Sequence, residues 1–156
     1  MLDLAYNLDQ HGWATACASD GDRHVEMNVS YLSDALGDFA RAVRGLLRGM
    51  TETTFSFLDE PGEHRFILKR EGETVGVTVY WFEDDGANLQ HGQVVLTAEC
   101  SVGELATATI NCLRKVLDTH GEAGYREKWQ QHDFPTQEYR DLLELRREHT
   151  AARRAN

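Results

Sequence analysis

Thr53-Thr-Phe-Ser-Phe-Leu58, Glu63-His-Arg-Phe-Ile-Leu-Lys-Arg-Glu71, Thr74-Val-Gly-Val-Thr-Val-Tyr-Trp-Phe82 and Gln93-Val-Val-Leu-Thr-Ala-Glu-Cys100 follow one another as four alternating runs. Side chains two residues apart share one face of an extended chain, so apolar residues at every second position predict half-buried strands. Val75, Val77, Val79 and Trp81 give the strongest such face. Acidic turns separate the runs: Asp59, Glu60 and Glu63, then Glu71 and Glu73, then Glu83, Asp84 and Asp85. Glu60-Pro61-Gly62-Glu63 fits a type II turn, Pro presetting φ and Gly taking the positive φ.

Two hairpins separate the 59–63 and 83–92 turns, so both fall at one end of the sheet. Asp59, Glu60, Glu63, Glu83, Asp84 and Asp85 are therefore expected on one rim, with Arg65 the nearby cation in sequence. The other end holds Asp20, Asp22, Glu71 and Glu73. Ile67, Tyr80, Phe82 and Val95 fall out of phase with the core-facing residues. The second face is thus partly apolar, and either the C-terminal helix or another chain should cover it.

Upstream, residues 12–19 and 23–32 read as a hairpin closed by Asp20-Gly21-Asp22. Leu2, Leu4, Tyr6 and Leu8 alternate, so residues 1–11 are either a flexible start or an edge strand. Ser33 is placed to cap a helix over 34–48 ended by Gly49, with a stripe of Leu36, Phe39, Ala40, Val43, Leu46 and Leu47. Downstream, Ser101 and Glu104 form a capping box for a second helix ending near His120-Gly121. A short helical piece near Tyr125–His132 stops ahead of Pro135. A last helix starts at Thr136, with the narrow stripe Tyr139, Leu142 and Leu143, and frays past Glu148. The expected architecture is a single α+β domain over residues 1–156. It is a two-layer sandwich with a largely antiparallel sheet of about six strands (ββαββββα), helices on one face and further C-terminal helices.

The chain of 156 residues carries a formal charge of −10. Residues 1–124 hold 9 Lys and Arg against 20 Asp and Glu, and residues 125–156 hold 7 against 6. A body at −11 disfavours nucleic acid and favours a basic partner, since opposite fields accelerate encounter. No apolar run approaches the ~20 residues of a membrane span. The start has no basic, apolar leader pattern, so a cytoplasmic location is expected.

Three cysteines (Cys17, Cys100, Cys112) lack Cys-x-x-Cys spacing, and none of the seven histidines forms an i, i+4 pair. No cofactor and no metal are expected on these grounds. Cys100 precedes a helix N-terminus, where a thiolate is stabilised, but it shares the phase of Val94, Leu96 and Ala98 and reads as a core thiol. Phosphate-cradling glycine loops and Gly-x-Ser-x-Gly are absent. Tyr125, Trp129 and Phe134 read as aromatic anchors of a helix–helix connector.

The Leu36-Gly37-Asp38 helix start, the Asp59-Glu60-Pro61-Gly62-Glu63 turn, the Gly124-Tyr125 to Trp129 segment and His132-Asp133-Phe134-Pro135 carry a likeness. Through them, residues 12–145 resemble a family of small bacterial proteins of uncharacterised role, found especially in actinobacteria. In size, acidity and α+β style the chain is also similar to immunity proteins of bacterial toxin systems, which implies a protein partner. The expectation is a non-enzymatic acidic binding protein, immunity-like, that neutralises a basic toxin domain. Asp59, Glu60, Glu63, Glu83, Asp84 and Asp85 would steer the partner, with Ile67, Tyr80 and Phe82 as apolar anchors. The alternatives are a homodimeric structural or adaptor module, and a small enzyme whose unrecognised site assembles from scattered Cys, His and acidic residues, with Cys100 its best nucleophile.

Overall fold

The computed structural model describes residues 2–156, leaving Met1 outside the described residues. Seven strands form two antiparallel sheets. Strands β1 (Asp3–Leu8), β2 (Trp13–Ser19) and β3 (His24–Ser30) make the first, in that order. Strands β4 (Glu52–Leu58), β5 (Glu63–Glu71), β6 (Thr74–Phe82) and β7 (Gln93–Ser101) make the second. The α+β class and the antiparallel pairing are as expected. The strands are divided between two sheets, however, because β3 lies beside β4 without pairing to it. The alternating residues near the start form β1, an edge strand, in register with β2 from Asp3↔Ser19 to Leu8↔Ala14.

Three helices complete the chain: α1 (Ala35–Leu47), α2 (Val102–Trp129) and α3 (Thr136–Ala155). Helix α1 packs on β4, α2 on β1, and α3 on both α1 and α2. The Ser101–Glu104 capping box is formed: the Glu104 N–H donates to Ser101 Oγ at 3.0 Å and the Ser101 N–H to Glu104 Oε2 at 2.8 Å. Gly121 interrupts α2 at φ +67, as a residue without Cβ can, and turns the helix where the sequence places its end. Helix α3 continues in regular form past Glu148 to Ala155. The first helix departs from expectation at its start. Asp34 holds the N-cap position, makes no side-chain cap bond, and gives its Oδ2 to Arg41 at 2.7 Å, while Ser33 Oγ has no partner. A cation about two helical turns away takes the carboxylate that would otherwise cap the helix.

One aromatic cluster joins the layers. Phe39 of α1 meets Phe55 at 4.9 Å, Phe55 stacks on Phe66 at 4.5 Å, and Tyr6 of the first sheet reaches Phe57 at 5.7 Å. All five rings are buried. At the far end Trp129 is fully buried and its Nε1–H donates to Ser33 O at 3.0 Å, with Tyr125 and Phe134 packed alongside. Those aromatics are anchors, as their spacing predicts. Truncating Phe55 removes contacts to α1 and β5 at once. Phe55→Ala is expected to cost about 3–5 kcal/mol in urea unfolding. A loss below about 1 kcal/mol would place the organising core elsewhere.

Candidate functional site: an acidic rim clamped by Glu63

The β4–β5 turn and the β6–β7 loop meet, as strand direction predicts. The Gly62 N–H donates to Asp85 Oδ1 at 2.9 Å, and the Gly86 N–H donates to Glu63 Oε1 at 2.7 Å. Arg65 Nη2 donates both to Glu63 Oε1 at 2.7 Å and to the Ala87 carbonyl at 2.9 Å. Glu63 is only 3% exposed. It is therefore not a free rim carboxylate but the clamp that fastens two loops together. Burial opposes its ionisation, but hydrogen bonds from Arg65, Ser56 and the Gly86 N–H, with the Arg65 charge, outweigh that and hold its carboxyl below the usual range.

The turn itself differs from type II. Gly62 has the expected positive φ of +102, but the Glu60–Pro61 peptide is cis and the Asp59 N–H donates to Gly62 O at 2.8 Å. A Cβ on Gly62 would sit 2.4 Å from the Trp81 ring and 2.8 Å from the Phe82 carbonyl, so only glycine allows this approach.

Phe82 is likewise not a surface anchor. It is 1% exposed, with the Arg65 guanidinium 4.2 Å above its ring and Gly92 too close to accept a Cβ. The β6–β7 loop, including a short 3-10 turn at Leu89–His91, thus folds over this end of the outer sheet face. Helix α3, which packs on α1 and α2, is not what covers it. Ile67 and Tyr80 remain half-buried. A bulge between Val79 and Tyr80 sets Val94 opposite Tyr80, turning Val94 outward and Val95 toward the core. The exposed apolar pair is consequently Val94 and Leu89, which alternation alone does not reveal.

Glu60, Glu83, Asp84 and Asp85 are exposed and Asp59 is half-buried, and none makes an ion pair among the described residues. Asp59 Oδ1 accepts the Glu60 N–H at 2.8 Å. Beside them Trp81, Glu83, Asp84, Ala87, His91 and Gln93 line a cleft of about 270 Å³. That is below the range of small-molecule sites, about 300–1,000 Å³, and is the size for an inserted side chain. An aromatic ring flanked by two carboxylates suits an arginine or lysine. A larger groove of about 730 Å³ lies elsewhere, between the start of α2 and the end of α3.

The nucleophile candidate is a core thiol. Burial, reinforced by Glu104, pushes Cys100 up to about 11, and burial pushes Cys112 up to about 11. Burial, then Glu26, also raises the Cys17 thiol. None of the rim residues gathers with Cys or His into a metal-ligating group. Among the described residues one such group exists, Cys17, His24 and Glu26, on the first sheet.

No family model matches the chain, and no curated protein does. Among solved structures, a chain of the "CdiA-CT/CdiI toxin and immunity complex from Enterobacter cloacae" aligns with a TM-score of 0.46 and 11% identity, over 73% of this chain and 99% of that one. At that score and identity the likeness establishes neither a shared fold nor a shared role.

Two measurements probe the clamp. Glu63→Gln removes the charge that Arg65 and the Gly86 N–H address, and should cost about 2–3 kcal/mol in urea at neutral pH. That difference is full above the ordinary glutamate value of about 4.3 and shrinks as pH falls through the depressed one. His64, against Trp81 at 4.7 Å, is pushed down to about 4 by burial, with Asp59 opposing. The unfolded chain takes up this proton first, so stability should decline as pH falls from about 6.5 to about 4. His64→Phe should flatten that segment of the pH profile; an unchanged profile would mean that His64 takes up its proton as readily in the fold as in the unfolded chain.

Proposed function

We propose that this protein is a non-enzymatic binding protein that docks a basic protein partner at the acidic rim, as an immunity protein would hold a basic toxin domain. The observation that carries this reading is the unpaired set Asp59, Glu60, Glu83, Asp84 and Asp85 on two loops fastened to each other by Glu63. A charge set on tied loops loses little conformational freedom on binding, and its field steers a cationic partner. The cleft at Trp81 offers a seat for one basic side chain, with Val94 and Leu89 at hand for apolar contact. The raised, buried Cys100 thiol supports the non-enzymatic side of the reading.

The homodimer reading meets an obstacle at this surface. An isologous dimer through Ile67, Tyr80 and Val94 would carry two unneutralised acidic rims into one assembly, and like charges oppose that.

The test uses the wild-type chain and a variant with Asp59→Asn, Glu60→Gln, Glu83→Gln and Asp84→Asn, each as bait in extracts of its own cells at low salt. A basic protein should be recovered by wild type, at least tenfold depleted with the variant, and released at about 1 M salt, where the screening length is about 3 Å. Purified, that protein should bind the wild type directly. Recovery that is equal for both baits would overturn the rim as the docking site. A concentration-dependent dimer, with no basic partner, would favour self-association.

A further inference from the structure

The first sheet carries a second feature, independent of the rim. Strands β2 and β3 are held in register by the Asp20–Arg23 turn, in which the Asp20 N–H donates to Arg23 O at 3.2 Å and the Arg23 N–H to Asp20 Oδ1 at 2.9 Å. Gly21 takes φ +101 there. This closure sets Cys17 directly opposite Glu26, and Ser19 opposite His24 two pairs along, on the same face. Alternation then fixes the facing. Ala14, Ala16, Ala18, Met27 and Val29 are buried, so Cys17, His24 and Glu26 all project from the opposite face. Their ligand atoms, one thiol sulfur, one imidazole nitrogen and one carboxylate oxygen, all lie within 4.8 Å of one another.

We propose that Cys17, His24 and Glu26 form a surface site for a borderline divalent transition metal, with Zn²⁺ the natural occupant. Three features argue for that class. The donor set is one sulfur, one nitrogen and one oxygen, whereas calcium and magnesium want near-complete oxygen shells. Three protein ligands with a fourth position left to water is a regular zinc arrangement. The scaffold is a hydrogen-bonded hairpin over a buried face, so the backbone positions are fixed before the ion arrives.

Metal–ligand bonds of about 2.0–2.3 Å imply edges of roughly 3.3–3.8 Å in a tetrahedron. The side chains therefore need to close by no more than about 1–1.5 Å on any edge. His24 and Glu26 are exposed, so rotation about χ1 and χ2 supplies that movement without disturbing the core. On binding, the Cys17 thiol gives its proton to solvent, the sulfur–metal bond forms, and all but one of the ion's waters leave as it becomes four-coordinate.

The probe is Co²⁺ added to the reduced full chain without oxygen, followed by Zn²⁺. A thiolate-to-cobalt charge-transfer band should grow to one equivalent, accompanied by visible bands of tetrahedral intensity, and Zn²⁺ should displace it. Cys17→Ser should abolish the charge-transfer band, while Cys100→Ala and Cys112→Ala should leave it. Loss of a partner that merely orients a ligand costs about 10–100-fold in affinity, so His24→Ala and Glu26→Gln should each weaken binding by about tenfold or more. These two variants keep the thiol and also test the site if Cys17→Ser does not fold. Cobalt spectra without a thiolate band overturn the proposal, as does a band that survives Cys17→Ser or is indifferent to both His24→Ala and Glu26→Gln.

Discussion

Contact between the Phe55 and Phe66 rings, 4.5 Å apart, is the constraint on which the rest of the molecule hangs. These residues face each other across β4 and β5, and the Phe55 ring also receives Phe39 from α1. Neighbouring Phe57 receives Tyr6 from the first sheet. No hydrogen-bonded ladder joins the two sheets, so apolar packing must hold them in place. Rings of this size dominate core energetics because each removes a large apolar area from water. With β4 and β5 fixed in this way, the turn between them has a defined position, and the β6–β7 loop has something to close against.

At that turn the order of causes runs from an interior charge to a surface charge. Glu63 would be costly to bury alone, but Arg65, Ser56 and the Gly86 N–H satisfy it. Arg65 in turn lies over the Phe82 ring and donates to Ala87, so one guanidinium ties strand, loop and aromatic together. The carboxylates that remain outside this network keep their charge facing water. A buried ion pair thus decides where the exposed ones stand.

Much of this was legible in the chain because alternation, glycine turns and capping residues are local signals. The strand boundaries, the Ser101–Glu104 box, the Gly121 interruption and the meeting of the two acidic loops all follow from them. What could not be read is non-local. Glu63 looks like another turn acid until Gly86 and Ala87 arrive from over twenty residues away. The bulge at Tyr80 exchanges the facing of Val94 and Val95, and no propensity in that Val-Val pair announces it. The Cys17, His24 and Glu26 group escapes a search for helical spacings because its members meet across a hairpin. A signal for it was present: the Asp20-Gly21-Asp22 turn, once closed, dictates the register that sets Cys17 opposite Glu26.

The same distinction between local and non-local applies to charge. Summed along the chain, the C-terminal segment is nearly neutral and looks inert. In the fold, Glu138 and Asp141 of α3 meet Arg41 and Arg44 of α1 and Arg48 at its C-cap, at 2.9 Å for Arg44–Asp141. Arg70 donates to the Leu46 carbonyl at the end of α1, where the helix dipole favours a cation. The half-buried arginines of the body are therefore engaged with its own acids and carbonyls. Arg65 alone among them reaches the rim, where it is engaged with Glu63 and the Ala87 carbonyl, and Asp59, Glu60, Glu83, Asp84 and Asp85 make no ion pair among the described residues. Position, rather than the total of −10, is what gives the rim its capacity to attract a cationic surface.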